Sequence, residues 1–271
     1  MIMGIEDKLK NSNLRVLSLQ NFKAPKIAAV TEALHSKSKE ATLAFFQWEP
    51  SITLSYNQSI DDVDLELAKK NNYSVVRMLG GGRAYIHNND VSFLLIIPGL
   101  KDNFSLKKNY EYVACKFINA FNGFGLKAEL KDDRKYGFDI YVNNQILMGL
   151  AQHSLNDCLL IHGAFYYSKP DYDLAIKLIK GYDEKDAEIL KKNVGYFAKY
   201  SNAKLTELLE KIIESFSPKH HLGELSIDEK KSINDLAKKY EDFKYTSAGS
   251  QNRGLCWLPK SPYPLPGTFK D

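Results

Sequence analysis

A run of three glycines with an arginine on either side is the part of this sequence best suited to chemistry. The glycines at positions 80–82 separate Arg77 from Arg83, and His87 follows four residues later. Glycine leaves backbone N–H groups open to close approach, and arginine adds a fixed positive charge that pairs with phosphate or carboxylate oxygens. The spacing matches neither the Walker-type nor the Rossmann-type motif. The run is therefore consistent both with an anion-binding loop and with a glycine-rich turn whose arginines are solvated.

The cysteines could bind a metal or act as nucleophiles, but their positions in the sequence favour neither role. Cys115, Cys158 and Cys256 are odd in number and lack the spacing of a metal site. This usage is typical of a reducing cytoplasm, and we expect no protein metal site. Cys158 precedes an apolar strand and is interpreted as a small buried hydrophobic residue rather than a nucleophile.

The composition is that of a globular protein with a mildly basic surface. The chain has 271 residues, 44% of them hydrophobic, and 37 basic against 33 acidic residues give a net charge of +4. No segment approaches the ~20 apolar residues of a membrane-spanning helix, and the N-terminus lacks the apolar core of a signal peptide. No aromatic-basic nucleic-acid module is present. We therefore expect a cytoplasmic protein that binds neither nucleic acid nor membranes, and whose charge favours acidic protein partners.

Strands and helices must alternate around the glycine run to position it. Apolar runs predict strands before it, at 73–77, and after it, at 91–97, and helical spacing predicts a long helix at 105–121. Further strands are expected at 127–130, 137–142, 145–149 and 159–167. From residue 171 the pattern is mainly helical, and a proline-rich extended tail occupies 261–267.

A set of ordered motifs extends the glycine run in both directions. Gly81 to His87 reads Gly-Gly-Arg-Ala-Tyr-Ile-His, and the segment 46–56 upstream contains an aromatic-rich Trp-Glu-Pro strand start. Downstream follow, in order, Asp139-Ile140-Tyr141, Gly149-Leu150-Ala151-Gln152 and His162-Gly163. Together these segments resemble the lipoate–protein ligase family, which includes the octanoyltransferases and is related to biotin ligases.

This resemblance implies an α/β (α+β) fold in which helices flank a mixed, bent β-sheet, as in the biotin/lipoate ligase superfamily. We expect the catalytic or binding domain at residues 1–215, with a small C-terminal helix and the proline-rich tail at 216–271. The glycine loop and the segment 139–152 should face each other across a pocket on the inner face of the sheet.

The resemblance also implies which residues bind the substrate or a nucleotide. They are Arg77, Gly80, Gly81, Gly82, Arg83, Tyr85, His87, Asp139, Gly149, Ala151, Gln152, His162 and Gly163. Asp139 would orient a nucleotide amine or ribose, or else simply cap the end of a strand.

One position departs from the family pattern and leaves the catalytic residue unassigned. The family places a lysine three residues before the glycine of Gly-x-Ala-Gln, where this chain has Ile146. In the family that lysine holds the acyl carbonyl and the phosphate, and isoleucine offers neither charge nor donor to oxygens that become negative. The cysteine-dependent octanoyltransferases carry their nucleophile within the region that is 131–138 here, which contains no cysteine. Lys131, Arg134 and Lys135 are the nearest basic substitutes, unless they form a solvated loop.

Three functions remain open. The first is formation of lipoyl-AMP with ATP and Mg²⁺, followed by transfer of lipoyl to a lysine of a lipoyl carrier domain. The second is transfer of octanoyl or lipoyl between carriers without ATP, and the third is binding of a ligand or a partner without catalysis. We favour the first, and therefore expect an enzyme. Its partners would be carrier domains of the glycine cleavage H protein or 2-oxoacid dehydrogenase E2 type, together with an accessory ligase subunit if one is needed.

Overall fold

The protein is built from two β-sheets surrounded by helices. The computed structural model describes residues 4–19, 22–80, 82–100, 106–133, 137–155, 157–251 and 253–258. Gly81, Arg134, Lys135 and the proline-rich tail at 261–267 lie outside the described residues.

The strands occupy much of the first two thirds of the chain. They are β1 (Leu14–Leu19), β2 (Thr42–Phe46), β3 (Ser51–Leu54), β4 (Ser74–Arg77), β5 (Tyr85–His87), β6 (Asp90–Pro98), β7 (Ala128–Asp133), β8 (Gly137–Val142), β9 (Gln145–Leu155), β10 (Cys158–Tyr166) and β11 (His220–Leu222).

The helices lie between the strands and dominate the C-terminal third. They are α1 (Ile5–Lys10), α2 (Ala24–Lys37), α3 (Leu65–Lys70), α4 (Leu106–Gly123), α5 (Tyr172–Leu178), α6 (Glu184–Asn193), α7 (Leu205–Phe216), α8 (Ile227–Glu241) and α9 (Phe243–Ser247).

The strands of the described residues form one large sheet and one small sheet. The large sheet has the order β11-β1-β2-β6-β10-β9-β8-β7, with β1 parallel to both of its neighbours and the other pairs antiparallel. In the small sheet, β3 lies between β4, which is parallel to it, and β5, which is antiparallel. The predicted mixed α/β fold is confirmed.

The central strand β6 is apolar along nearly its whole length because both faces of the large sheet are covered. Phe93 and Leu95 point into a core shared with α4 and α7, whereas Leu94 and Ile96 point into a second core shared with α2 and α8. Alternate residues of a strand face opposite sides of the sheet, so a strand buried on both sides reads as one continuous hydrophobic run.

The C-terminal residues pack against this main body instead of extending away from it. Helix α8 lies on α2, and Ile233 and Tyr240 of α8 belong to the core beneath it. After α9, residues 253–258, here called the C-terminal strap, run beside the glycine loop. Ala84 N donates to Gly254 O at 2.9 Å, and Cys256 N donates to Ala84 O at 2.8 Å. The domain division expected after residue 215 stays a prediction.

The helices of the described residues are too short or too polar to cross a lipid bilayer.

Candidate functional site

A cavity of about 770 Å³ lies between the two sheets. Its floor is the large sheet, from Phe46 in β2 across β6, β10 and β9 to Asp139 in β8. Four steps between neighbouring strands make this floor about 19 Å long. The small sheet, the glycine loop and the C-terminal strap supply the remaining walls. This volume lies within the range of ordinary small-molecule sites.

The glycine loop approaches the floor closely at Gly80. A Cβ atom on Gly80 would lie 3.1 Å from Nε2 of His162, which projects from β10, so the imidazole would have to shift slightly. Gly80 and Gly82 both line the cavity. Gly82 has open space around it but a φ of +113°, which favours glycine.

The two glycines predicted on β9 and β10 serve the same close packing. A Cβ atom on Gly163 would lie 2.3 Å from the carbonyl oxygen of Gly149. One on Gly149 would lie 3.1 Å from the indole of Trp257, which belongs to the C-terminal strap. Both glycines line the cavity, as does Ala151. The glycine loop and the β8–β9 segment thus face each other across one cavity.

Arg77 has a structural role in place of the ligand contact expected from the sequence. It is 1% exposed and is absent from the cavity lining. Its guanidinium donates to the carbonyl oxygens of Ser55 and Tyr56, both at 2.7 Å, and to those of Tyr245 and Thr246. Burial lowers the pKa of Arg77. Four of its five N–H groups donate to backbone carbonyls, and a ligand could use these four only by displacing the backbone.

Arg83 does line the cavity, but its guanidinium also contacts the backbone. Nη1 of Arg83 donates to the carbonyl oxygen of Leu258 in the C-terminal strap at 2.8 Å. The thiol of Cys256 donates to the carbonyl oxygen of Arg83 at 3.4 Å. The strap and the glycine loop therefore hold each other in place around this arginine.

His87 lies in a chain of hydrogen bonds on the cavity wall. Its Nδ1 is 2.9 Å from Oδ2 of Asp90, and its Nε2 is 3.1 Å from Oγ1 of Thr53. The ring stacks on Trp48 with centroids 4.2 Å apart. Ser92 Oγ donates to the same Asp90 oxygen at 3.2 Å and accepts from Trp48 Nε1 at 2.9 Å. The orientation of the imidazole is thus fixed from three sides.

His162 faces the cavity beside the glycine loop as an uncharged side chain. Burial, with smaller effects of His153 and His87, lowers the pKa of His162 to about 4. Its imidazole is therefore neutral near pH 7 and can donate or accept a hydrogen bond. Tyr85 lies nearby, and burial raises the pKa of its hydroxyl well above the usual value.

Asp139, Gln152 and Ile146 occupy different surroundings along β8 and β9. Asp139 is buried and lines the cavity. Gln152 lies outside the lining, and its Oε1 accepts from Asn109 Nδ2 at 3.4 Å. Ile146 is 4% exposed and also lies outside the lining, and its carbonyl oxygen accepts from the N–H of Gly195.

Lys131, one of the basic residues considered as substitutes for the family lysine, does not line the described cavity. Its Nζ is 3.0 Å from Oε1 of Glu129 and 3.1 Å from Oδ1 of Asn144. Arg134 and Lys135 lie outside the described residues. Lys131 therefore fits the description of a surface charge.

Several residues of this site were not selected from the sequence, and five of them matter most for its chemistry. Thr53, Asp90, Ser92, Cys256 and Trp257 line the cavity or contact a residue that does. Asp90 could have been selected because it follows His87 by three residues, which allows its carboxylate to reach the imidazole. Cys256 and Trp257 gave no local signal, because the chain brings them to the cavity from more than 90 residues beyond Gly163.

No cluster of three or more histidine, cysteine, aspartate or glutamate side chains suited to a metal ion occurs within the described residues.

Comparisons with known proteins agree with this geometry. Residues 25–217 match the family described as the lipoyl protein ligase A/B catalytic domain. The octanoyltransferase LipM of Clostridioides difficile (strain 630) is 24% identical over 269 residues, covering 85% of this chain and 97% of that protein. The bipartite lipoate protein ligase of Thermoplasma acidophilum superposes with a TM-score of 0.79 at 20% identity, covering 89% of this chain and 99% of that one. A lipoate–protein ligase A bound with ATP gives 0.75 at 20% identity, covering 87% and 98%.

The fold is that of the biotin/lipoate ligase class. The chain belongs to the lipoyl protein ligase A/B catalytic-domain family, an enzyme family of ligases and acyltransferases. The predicted family is thereby confirmed. The matched region ends at residue 217, so the C-terminal strap that completes the cavity lies beyond it.

Proposed function

We propose that this protein transfers an octanoyl or lipoyl group between carrier proteins without ATP. The donor would be an acyl thioester, and the acceptor would be a lysine of a lipoyl carrier domain. This differs from the ATP-dependent ligase that we favoured from the sequence. Support comes from the octanoyltransferase relative, which aligns over nearly its full length.

The hydrogen bonds of Arg77 and Arg83 to backbone carbonyls are the observation that carries this proposal. Both were expected to contact a phosphate or carboxylate, yet the donors of Arg77 go to four backbone carbonyls and Arg83 donates to Leu258. A triphosphate needs cationic partners in its site. The cations of the described lining are Arg83 and Arg253, and both already contact backbone carbonyls, so ATP would have to compete with these contacts. A thioester, which carries no phosphate at the reacting carbonyl, makes no such demand.

The lining of the cavity suits an acyl chain. Phe46, Trp48 and Leu94 belong to one core and line the cavity, and together they offer an apolar wall for methylene groups. Burying a methylene group stabilises a complex by ~0.8 kcal/mol. The Gly80 and Asp139 region provides a more polar surface for the other end of the substrate.

Transfer assays with and without nucleotide test this function. The protein is incubated with an octanoyl-loaded carrier and an unmodified lipoyl domain, of the glycine cleavage H or E2 type, and the acceptor is read by intact mass. We expect one octanoyl group on the acceptor without ATP, and none on an acceptor whose target lysine is replaced by arginine. A parallel reaction contains free lipoate or octanoate with ATP and Mg²⁺.

The other functions predict different results in the same assay. Modification only with ATP and a free acid would contradict the transferase and restore the ligase. Binding of the acyl carrier without modification under either condition would favour the binding module, for which the absence of a lysine at Ile146 is the main argument. A requirement for an accessory subunit would appear as activity only after a second protein is added.

A further inference from the structure

Acyl transfer between carriers proceeds most simply through a covalent intermediate. Such an intermediate requires a hydroxyl or thiol nucleophile in the cavity. Among the described lining residues, the aliphatic hydroxyl and thiol groups belong to Thr53, Ser55, Ser92 and Cys256. An unassisted hydroxyl is a poor nucleophile near pH 7 and needs an adjacent base. The surroundings of each group therefore decide which one can react.

Thr53 is the one whose hydroxyl contacts an imidazole. Its Oγ1 lies 3.1 Å from Nε2 of His87, and Asp90 Oδ2 lies 2.9 Å from Nδ1 of the same ring. An ionised carboxylate only accepts hydrogen bonds, so Asp90 keeps the proton on Nδ1 and leaves Nε2 free to accept from Thr53. Hydroxyl, imidazole and carboxylate thus have the distances of a nucleophile, a base and a group that orients the base.

The surrounding structure holds this chain of groups in one arrangement. Thr53 and Tyr85 are opposite each other in the β3–β5 pair, and His87 lies two residues along β5. Trp48 stacks on the imidazole, and Ser92 bridges the indole to Asp90. Asp90 is 1% exposed. Preorganised groups need no rearrangement before reaction, which is a main source of enzymatic rate.

The other candidates make no hydrogen bond to an imidazole among the described residues. The thiol of Cys256 donates to the carbonyl oxygen of Arg83, and burial raises its pKa to about 11. Its thiolate is therefore scarce near pH 7. Ser92 is engaged by Trp48 and Asp90.

Ser55 supplies a different group, a hydroxyl that has no partner in the described part of the chain. Ser55 is 4% exposed and lines the cavity two residues after Thr53, and its Oγ is shielded from solvent. An unpaired buried hydroxyl is costly unless a partner satisfies it. Rotation of this side chain into the cavity would let the hydroxyl donate to an acyl carbonyl oxygen bound near Thr53.

We propose that Thr53 accepts the acyl group as an ester, with His87 as general base and Asp90 as the residue that positions it. The proposal rests on the transferase function. Thr53 Oγ1 attacks the thioester carbonyl while its proton passes to His87 Nε2. The C–S bond then breaks, and the imidazolium returns the proton to the departing sulfur, which leaves as the carrier thiol.

The second half of the reaction reverses the roles of the groups. The amine of the acceptor lysine attacks the Thr53 ester, and His87 takes a proton from the attacking nitrogen. The C–O bond breaks, the proton passes to Oγ1, and an amide is formed. Thr53 and His87 return to their starting states, so no further reactant is needed.

Trapping of the ester tests this inference. The wild type is incubated with octanoyl-pantetheine in the absence of an acceptor, quenched in acid and analysed by intact mass and peptide mapping. We expect one octanoyl group on the peptide that contains Thr53. This adduct should survive neutral hydroxylamine, which cleaves thioesters far faster than oxygen esters.

Matched variants separate Thr53 from its competitors. Thr53→Val keeps the shape of the side chain and should abolish the adduct and slow transfer by ~10²-fold or more. Thr53→Ser should retain both, and Cys256→Ser should not remove the adduct from the Thr53 peptide. Cys115→Ser, which replaces an exposed thiol outside the cavity lining, should leave both unchanged. Asp90→Asn should slow adduct formation while octanoyl-pantetheine binding, measured by calorimetry, is kept.

Each outcome bears on one of the two proposals. Transfer without a Thr53 adduct, or an adduct that Cys256→Ser removes, overturns the Thr53 assignment and leaves the transferase function standing. A Thr53 adduct without delivery to any lipoyl domain supports the assignment and overturns the transferase function. Absence of both adduct and transfer overturns both.

Discussion

The guanidinium of Arg77 joins two stretches of backbone that lie far apart in the sequence. One is the turn after β3, which contains Ser55 and Tyr56, and the other is the end of α9, which contains Tyr245 and Thr246. All of these contacts are to carbonyl oxygens and are largely shielded from solvent. Removing the side chain would leave buried acceptors without donors.

Replacement of Arg77 should therefore reduce stability rather than ligand affinity alone. We expect Arg77→Met to lower the free energy of unfolding by ~3 kcal/mol, because several buried carbonyls lose their donor. Arg83→Met is the matched control and should cost ~1 kcal/mol, because that side chain makes one hydrogen bond to Leu258. Urea denaturation of the three proteins measures both changes. Equal losses for the two variants would contradict the structural role of Arg77.

Part of the candidate site could be predicted at the scale of residues, and part could not. The glycine loop, Gly149, Gly163 and His162 are recognisable because their motifs are local in the sequence. Two of the four backbone partners of Arg77, Tyr245 and Thr246, lie 168 and 169 residues away in the sequence. No local pattern reports such a contact, so an arginine beside a glycine loop was interpreted as a ligand-binding group.

At the scale of elements, a buried ion pair fixes α8 on the large sheet. Both nitrogens of the Arg15 guanidinium fork donate to Glu229, at 2.7 and 3.0 Å, and Glu229 is 2% exposed. Burial by itself would raise the pKa of Glu229, but hydrogen bonds from Arg15 and Ser226 outweigh it and hold the pKa below its usual value of 4.5. Arg15 belongs to β1 and Glu229 to α8, so the pair connects the ends of the described chain.

Glu229→Gln should destabilise the protein in a manner that depends on pH. Breaking the buried pair leaves Arg15 with the more exposed Glu40, whose Oε1 lies 3.5 Å from its Nε, and we expect a loss of ~3 kcal/mol near pH 7. A carboxyl whose folded pKa is depressed stabilises the fold above its unfolded pKa, and this contribution disappears as the pH falls through the folded pKa. The difference between wild type and variant should therefore shrink below about pH 4.5.

Denaturation curves from pH 3 to about pH 7 measure this difference. Glu224→Gln is a suitable control, because its carboxylate is 91% exposed and lies 3.8 Å from Lys230. Such a pair contributes ~0–1 kcal/mol. A constant difference at all pH values for Glu229→Gln would show that the ionised carboxylate is not the stabilising species.

The success of element prediction followed the strength of the hydrophobic pattern. The strands expected at 91–97 and 137–142 agree with β6 and β8 to within a residue at each end. Helix α6 was not predicted, because it buries little more than Ala187 and Leu190 and is otherwise charged. Strand β11 was also missed, because it has three residues and is too short to show an alternation of polar and apolar side chains.

At the scale of the whole molecule, the C-terminal strap joins residues from the first two thirds of the chain in forming the cavity wall. Asp62 accepts from the backbone N–H groups of Arg253 and Gly254 at 2.8 and 3.1 Å. Gly249, just before the strap, lies directly on Gln58. A Cβ atom at Gly249 would be 2.1 Å from Gln58 O and 2.6 Å from Arg77 Nη1. The path of the backbone into the cavity therefore depends on this glycine.

Gly249→Ala should displace the strap and open the cavity. We expect weaker binding of octanoyl-pantetheine, by about tenfold or more, and faster proteolysis after residue 249, because backbone atoms cannot move aside as easily as a flexible side chain. Gly4→Ala is the control, since a Cβ atom there has nothing within 4 Å. Calorimetry and limited proteolysis report the two effects. Unchanged binding with a released strap would mean that the strap is not needed to hold the ligand.

The position of the strap also sets when the site first exists. Every other lining segment lies before residue 165, and Gln251, Arg253, Cys256 and Trp257 are synthesised last among the cavity residues. Domains fold as they emerge from the ribosome, beginning with the N-terminal part. A nascent chain can therefore build both sheets while its cavity still lacks a wall. We therefore expect the proposed binding site to be completed late in translation, and a chain that stops before residue 253 to lack this wall of the cavity.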